Sequence, residues 1–124
     1  MIIEIRSAGI PLTPGLRALV ARRVRFAMEK FAERIQKLTV RLADVNGPRG
    51  GRDKRCVVRL ESHLREPIVI AERQERIQAA VSAAAERASR TFERRIRSQE
   101  FARRRWALPR HAGPVPDAGE EAES

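Results

Sequence analysis

Tyrosine is absent from this chain, and 124 residues contain one cysteine, one tryptophan and four phenylalanines. A lone cysteine, Cys56, excludes an intramolecular disulfide framework. Scarce aromatics argue against the stacking mode by which single-stranded nucleic acid is bound without sequence preference. No apolar run approaches the roughly 20 residues of a membrane span. The opening MIIEIRSAG is too short and too charged for a secretory signal, so a cytoplasmic location is expected. No HxxxH, CxxC or carboxylate cluster offers metal ligands. The stretch NGPRGGRDKR, residues 46 to 55, is glycine-rich but lacks the GK[ST] ending and the following helix of a phosphate-binding P-loop. A nucleophilic Cys56–His63 pair would need both side chains in one cleft, and strand alternation turns Cys56 inward. The expectation is no enzyme, no cofactor, no metal and no small-molecule substrate.

What the chain has in quantity is positive charge. Lys and Arg number 26 against 16 Asp and Glu, a net charge of +10, and arginine dominates. A small domain this basic suits an anionic polymer or surface. The plainer reading is a solvated charged coat.

The apolar spacing gives six elements. IIEIR alternates as a strand over residues 2–6, with Ile3 and Ile5 on one side. Thr13 is placed to cap a helix that Pro14 opens, because proline at the first helical position loses no hydrogen bond. Leu16, Leu19, Val20, Val24, Ala27, Phe31 and Ile35 recur at three- and four-residue steps, predicting a helix to about Ile35. KLTVRLADV alternates as a half-buried strand, with Leu38, Val40 and Leu42 inward and Thr39, Arg41 and Ala43 outward. CVVRLES repeats the pattern with Cys56, Val58 and Leu60 inward. IVIA is a fourth strand after Pro67, with Ile68 and Ile70 inward. From Glu72 to about Gln99 or further, Ile77, Val81, Ala84, Ala88, Phe92 and Arg95/Ile96 trace the buried stripe of a second helix. Phe26, Phe31 and Phe92 are assigned to the core, while Phe101 and Trp106 fall outside it.

The order β-α-β-β-β-α predicts an α+β two-layer sandwich, a four-stranded mixed sheet with two helices packed on one face. A right-handed crossover makes the first two strands parallel. This domain occupies residues 1–106. Residues 107–124, with three prolines, two glycines and an acidic end, read as a disordered tail.

The charges have a pattern of their own. At 100° per residue Arg87, Arg90, Arg94 and Arg97 lie within about 80° of each other, away from the apolar stripe of the second helix. Glu86–Arg90 and Glu93–Arg97 are i,i+4 pairs, so part of this face is a solvated ion-pair lattice. Surplus arginine remains, Arg95 included. The first helix adds Arg22, Arg23, Arg25 and Lys30. Arginine forks bind phosphate oxygens in pairs and read backbone rather than sequence. Folded RNA, recognised by shape and charge, is the expected ligand class. In the 46–55 connection the glycines suit a turn, while Arg49, Arg52, Lys54 and Arg55 form a possible second RNA-binding loop.

The strand–TPGLRALV–helix opening, the segment RLADVNGPRGGRDKRCVVRL and the alanine- and arginine-rich last helix together resemble a known family over about residues 1–100. It is the family of ribosome hibernation promoting factors and ribosome-associated translation inhibitors, historically called sigma-54 modulation proteins, in its short form. The resemblance implies the β-α-β-β-β-α fold. It implies binding to the 30S small ribosomal subunit and the 70S ribosome, in the channel for messenger RNA and the A- and P-site transfer RNAs. It also implies contacts from the basic helix positions to 16S rRNA, and a block on translation in stress or stationary phase. Carried onto this chain, those positions are Arg22, Arg23, Arg25, Arg87, Arg90, Arg94, Arg95 and Arg97. Long members carry a further dimerisation domain not seen in these 124 residues, so a monomer is expected when the protein is free. A general structured-RNA-binding or RNA-chaperone domain is the alternative reading.

Overall fold

The computed structural model describes residues 1–45 and 53–107, the last three as backbone only. The expectations at Arg49 and Arg52, and for the segment from residue 108 onward, lie outside the described residues. The chain divides into two compact units, Met1–Phe92 and Glu93–Ser124, with the boundary inside the last helix.

The elements follow the predicted order. Strand β1 spans Ile2–Ala8, helix α1 Pro14–Ala27, and a short 3-10 helix Glu29–Arg34. Strands β2, β3 and β4 span Ile35–Asp44, Lys54–Ser62 and Ile68–Gln74, and helix α2 spans Ile77–Ala107. The sheet order is β1-β2-β3-β4, with β1 parallel to β2 and the other pairs antiparallel. The fold is therefore the α+β class with a mixed four-stranded sheet.

Register turns the strand alternation into a core. One face of the sheet carries the rows Ile3–Leu38–Leu60–Ile68 and Ile5–Val40–Val58–Ile70. From β2 to β4 these side chains are at most 7% exposed. Leu42 and Cys56 of the sheet, Val20 and Val24 of α1, Met28, Ile35, and Ala80, Val81, Ala84, Ala85, Ala88 and Phe92 of α2 add to the buried core of this unit. Phe31 and Phe92 meet edge to face at 5.5 Å. The alanines keep that side of α2 thin, so apolar bulk comes from the sheet and from Phe92. Burying one such side chain contributes about 1.5–3 kcal/mol. An exposed i,i+4 ion pair contributes about 0.3–0.5 kcal/mol. The fold is thus held mainly by its core.

Helix α1 begins as its sequence dictates: the Thr13 hydroxyl oxygen accepts from the Leu16 amide at 3.1 Å, with Pro14 in the first turn. It ends at Ala27, however, and not near Ile35. Met28, fully buried, closes it, and the chain tightens to 3-10 geometry before Ile35 enters β2. Over so few residues a three- or four-residue apolar step fits 3-10 and α geometry alike. Phe26 is corrected as well: it is 79% exposed. The buried line of α1 is Val20–Val24–Met28, and a residue two places from Val24 points to the opposite side.

Two further boundaries move. The helix expected from Glu72 starts at Ile77, because Glu72, Arg73 and Gln74 prolong β4 against Cys56, Arg55 and Lys54 of β3. Cross-strand pairing overrides the helical propensity of that stretch. Thr39, expected on the outward side, is only 7% exposed; its partners on the neighbouring strands are Glu4 and Arg59. On α2 the buried residue is Ile96 and not Arg95.

The root of the β2–β3 connection is braced electrostatically. Asp53 is 1% exposed, and its Oδ1 accepts from Lys54 Nζ at 3.1 Å; Asp44 Oδ2 accepts from the same ammonium at 3.3 Å. The bond to Asp53 is the largest cause of a raised Lys54 pKa; desolvation opposes it and Asp44 adds to it. A raised pKa means that the brace is fully present below the ordinary lysine range and is lost as pH rises through the folded-state value. Urea midpoints measured from about pH 8 to 12 should therefore fall more in the wild type than in Lys54→Met above the lysine range of about 10.4. Identical pH profiles would show that the brace contributes nothing.

Cys56 is fully buried, and burial pushes its thiol up to about 12. The thiolate is the reactive form. A thiol reagent at about pH 8 should leave the folded protein unlabelled and modify one cysteine per chain in denaturant. Rapid labelling of the folded protein would contradict this burial.

Candidate nucleic-acid interface

In the first unit the helix arginines divide into structural and available groups. Arg23 is exposed, but its Nη1 donates to the Gln78 carbonyl at 3.2 Å and to Ser82 Oγ at 2.7 Å. It ties α1 to α2. Arg87 donates to Glu72 Oε2 and to the Ala71 carbonyl, tying α2 to β4. Arg90 lies 3.7 Å from Glu86, an i,i+4 pair with both side chains well exposed. Arg22, Arg25 and Lys30 are exposed, and among the described residues no carboxylate pairs with them.

The second unit supplies more. Arg97 pairs with Glu93 at 2.6 Å. Arg94, Arg95, Arg103 and Arg104 are exposed, and Arg95 has no carboxylate partner among the described residues. Weak solvated pairs such as Arg90–Glu86 are readily exchanged for phosphate contacts, since each is worth a few tenths of a kcal/mol. The arrangement suits an anionic backbone.

A groove of about 440 Å³ opens where α1 faces α2 in the first unit, with Arg22, Arg23, Phe26, Ala27, Ser82, Ala85 and Glu86 around it. Sequence reasoning missed that the exposed Phe26 stands beside this cationic rim. The signal was available, since Phe26 falls between the Val24 and Met28 positions of the buried line.

In the predicted loop the basic residues part company. Lys54 is held by Asp53 and Asp44 and serves the fold. Arg55 is exposed on β3. Cys56, with its raised pKa inside the core, is unsuited to nucleophilic attack. Among the described residues no group of three or more His, Cys, Asp or Glu is placed to hold a metal ion. None of the described helices is long and apolar enough to cross a membrane.

Comparison with solved structures supports the fold. The chain is similar to a ribosomal subunit interface protein from Coxiella burnetii, with a TM-score of 0.64 and 12% identity over 76% of this chain and 96% of that one. It is similar also to the N-terminal domain of Thermus thermophilus Protein Y, with a TM-score of 0.62 and 14% identity over 76% of this chain and 98% of that one. No curated protein sequence matches significantly. The family model described as sigma 54 modulation protein / S30EA ribosomal protein matches residues 3–99, nearly the whole of the described chain. On that match the chain belongs to the sigma 54 modulation protein / S30EA ribosomal protein family.

Proposed function

We propose that this protein binds the 30S small ribosomal subunit in the channel for messenger RNA and the A- and P-site transfer RNAs, and so holds ribosomes inactive in stress or stationary phase. One observation carries the reading: Arg22, Arg25, Lys30 and Arg95 are exposed on the helical elements with no carboxylate partner among the described residues. Uncompensated arginine costs little in water and gains most against phosphate, where the planar fork makes two bonds at once. Membership of the family and likeness to a ribosomal subunit interface protein support the ribosome as the source of that phosphate.

The mechanism is occlusion. The helix arginines grip backbone phosphates of 16S rRNA, which fixes orientation without reading base sequence. The bound domain fills space that messenger and transfer RNA would take. Arg90 and Arg97 join by exchanging Glu86 and Glu93 for phosphate. Arg23 and Arg87 add field rather than reach, because their guanidinium groups are engaged within the protein. The alternative, a general structured-RNA binder, predicts equal affinity for bulk transfer RNA and for small subunits.

The test replaces only residues that have no carboxylate partner among the described residues. Arg22→Glu/Arg25→Glu/Arg95→Glu should keep the wild-type melting curve, since surface substitutions lie within about ±0.5 kcal/mol. It should lose co-sedimentation with 30S subunits at physiological salt. The dependence of log K on log salt should fall by about 0.7–0.9 for each phosphate contact removed. Wild-type protein that fails to sediment with 30S subunits, or that transfer RNA competes away at equal concentration, would overturn the ribosomal reading.

A further inference from the structure

The helices cover one face of the sheet; the other face has a charge pattern that the helix interface does not explain. Its outward residues include Arg6, Lys37, Arg41, Arg55, Arg59 and Arg73, six cations against the carboxylates of Glu4 and Glu61. Both acids are already engaged. Glu4 lies 3.0 Å from Arg6 and 3.2 Å from Lys37, which hold its carboxyl below the usual range, and Glu61 lies 3.4 Å from Arg59. Arg41, Arg55 and Arg73 are exposed and have no carboxylate partner among the described residues.

Register arranges the arginines in a band. Arg6 of β1 is directly opposite Arg41 of β2, and Arg55 of β3 is directly opposite Arg73 of β4. Arg41 pairs with Val57, so Arg55, two residues away on β3, is its diagonal neighbour. Neighbouring strands lie about 4.7–4.9 Å apart, so the four arginine positions run across the sheet, one from each strand. Small residues lie beside them: Ala43 next to Arg55, and Val57 and Ala71 in the row of Arg41. Like charges directly opposite each other destabilise a sheet. Arg55 and Arg73 form such a pair with no carboxylate partner among the described residues, a standing cost to the free protein that a polyanion laid across the band relieves.

We propose that the open face of the sheet is a second RNA-backbone-binding surface, on which Arg6, Arg41, Arg55 and Arg73 track one phosphodiester strand. A line of arginines calls for regularly repeated anions, and a nucleic-acid backbone supplies one per nucleotide. The identification of that strand as ribosomal RNA rests on the proposed function. With phosphate contacts on the helices and on the opposite sheet face, the protein is gripped from two sides, as a wedge in an RNA cleft.

The test is Arg41→Glu/Arg73→Glu in the full chain, read by thermal melting at low salt and by binding to purified 30S subunits over a salt series. Each new Glu stands opposite an arginine, so the melting temperature should rise by about 2–5 °C while binding weakens at least tenfold. The salt slope should fall by about 1.4–1.8 for two lost contacts. A merely structural role would not raise stability and lower binding together. Should the double Glu variant fold poorly, Arg41→Gln/Arg73→Gln removes the charges without adding acids, and the same loss of slope is required of it. Unchanged or tighter binding, with the Arg22/Arg25/Arg95 variant still defective, would overturn this inference and leave the ribosomal reading standing. Wild-type protein that does not bind 30S subunits overturns both readings.

Discussion

Strand β2 lies between β1 and β3, and the rest of the molecule depends on its register. Its two-residue alternation sends Leu38, Val40 and Leu42 toward the helices and Lys37, Thr39 and Arg41 toward the open face. Shifting the pairing by one residue would exchange these sets and bury arginine in place of leucine. Hydrophobic burial therefore fixes the register, and the register in turn lines up Arg6 with Arg41 and Arg55 with Arg73. The same constraint that forms the core orders the charge on the sheet.

Much of this was legible in the sequence. Strict alternation at Leu38–Val40–Leu42 and Cys56–Val58–Leu60 located both central strands and their inward sides, because a period of two has no competing interpretation there. The Thr13–Pro14 start of α1 was legible through local chemistry, since the cap and the missing amide act within one turn. The ends were not. Apolar steps at Met28 and Phe31 fit two helix types, and Glu72–Gln74 joins β4 only because β3 offers a partner 16 to 20 residues away in sequence. Tertiary pairing of that kind is invisible to local propensity.

The candidate site was legible in composition and less so in detail. Every predicted helix arginine is on the surface, but the sequence did not separate the structural Arg23 and Arg87 from the available Arg22, Arg25 and Arg95. That distinction depends on where Ser82 and Glu72 come to lie. Outward placement of Arg41 and Arg59 was readable from alternation, but their neighbours across the sheet required the register. Phe26 shows the opposite error, in which an aromatic residue was given to the core by type when its helical angle put it outside.

The central claim is that this arginine surplus exists to bind ribosomal RNA where messenger and transfer RNA would otherwise lie. Hydroxyl-radical footprinting of 16S rRNA in 30S subunits, with and without the protein at physiological salt, tests it most directly. Protected backbone positions should line both walls of the messenger and transfer RNA channel. An unchanged cleavage pattern, or protections scattered over the solvent side of the subunit, would contradict the account.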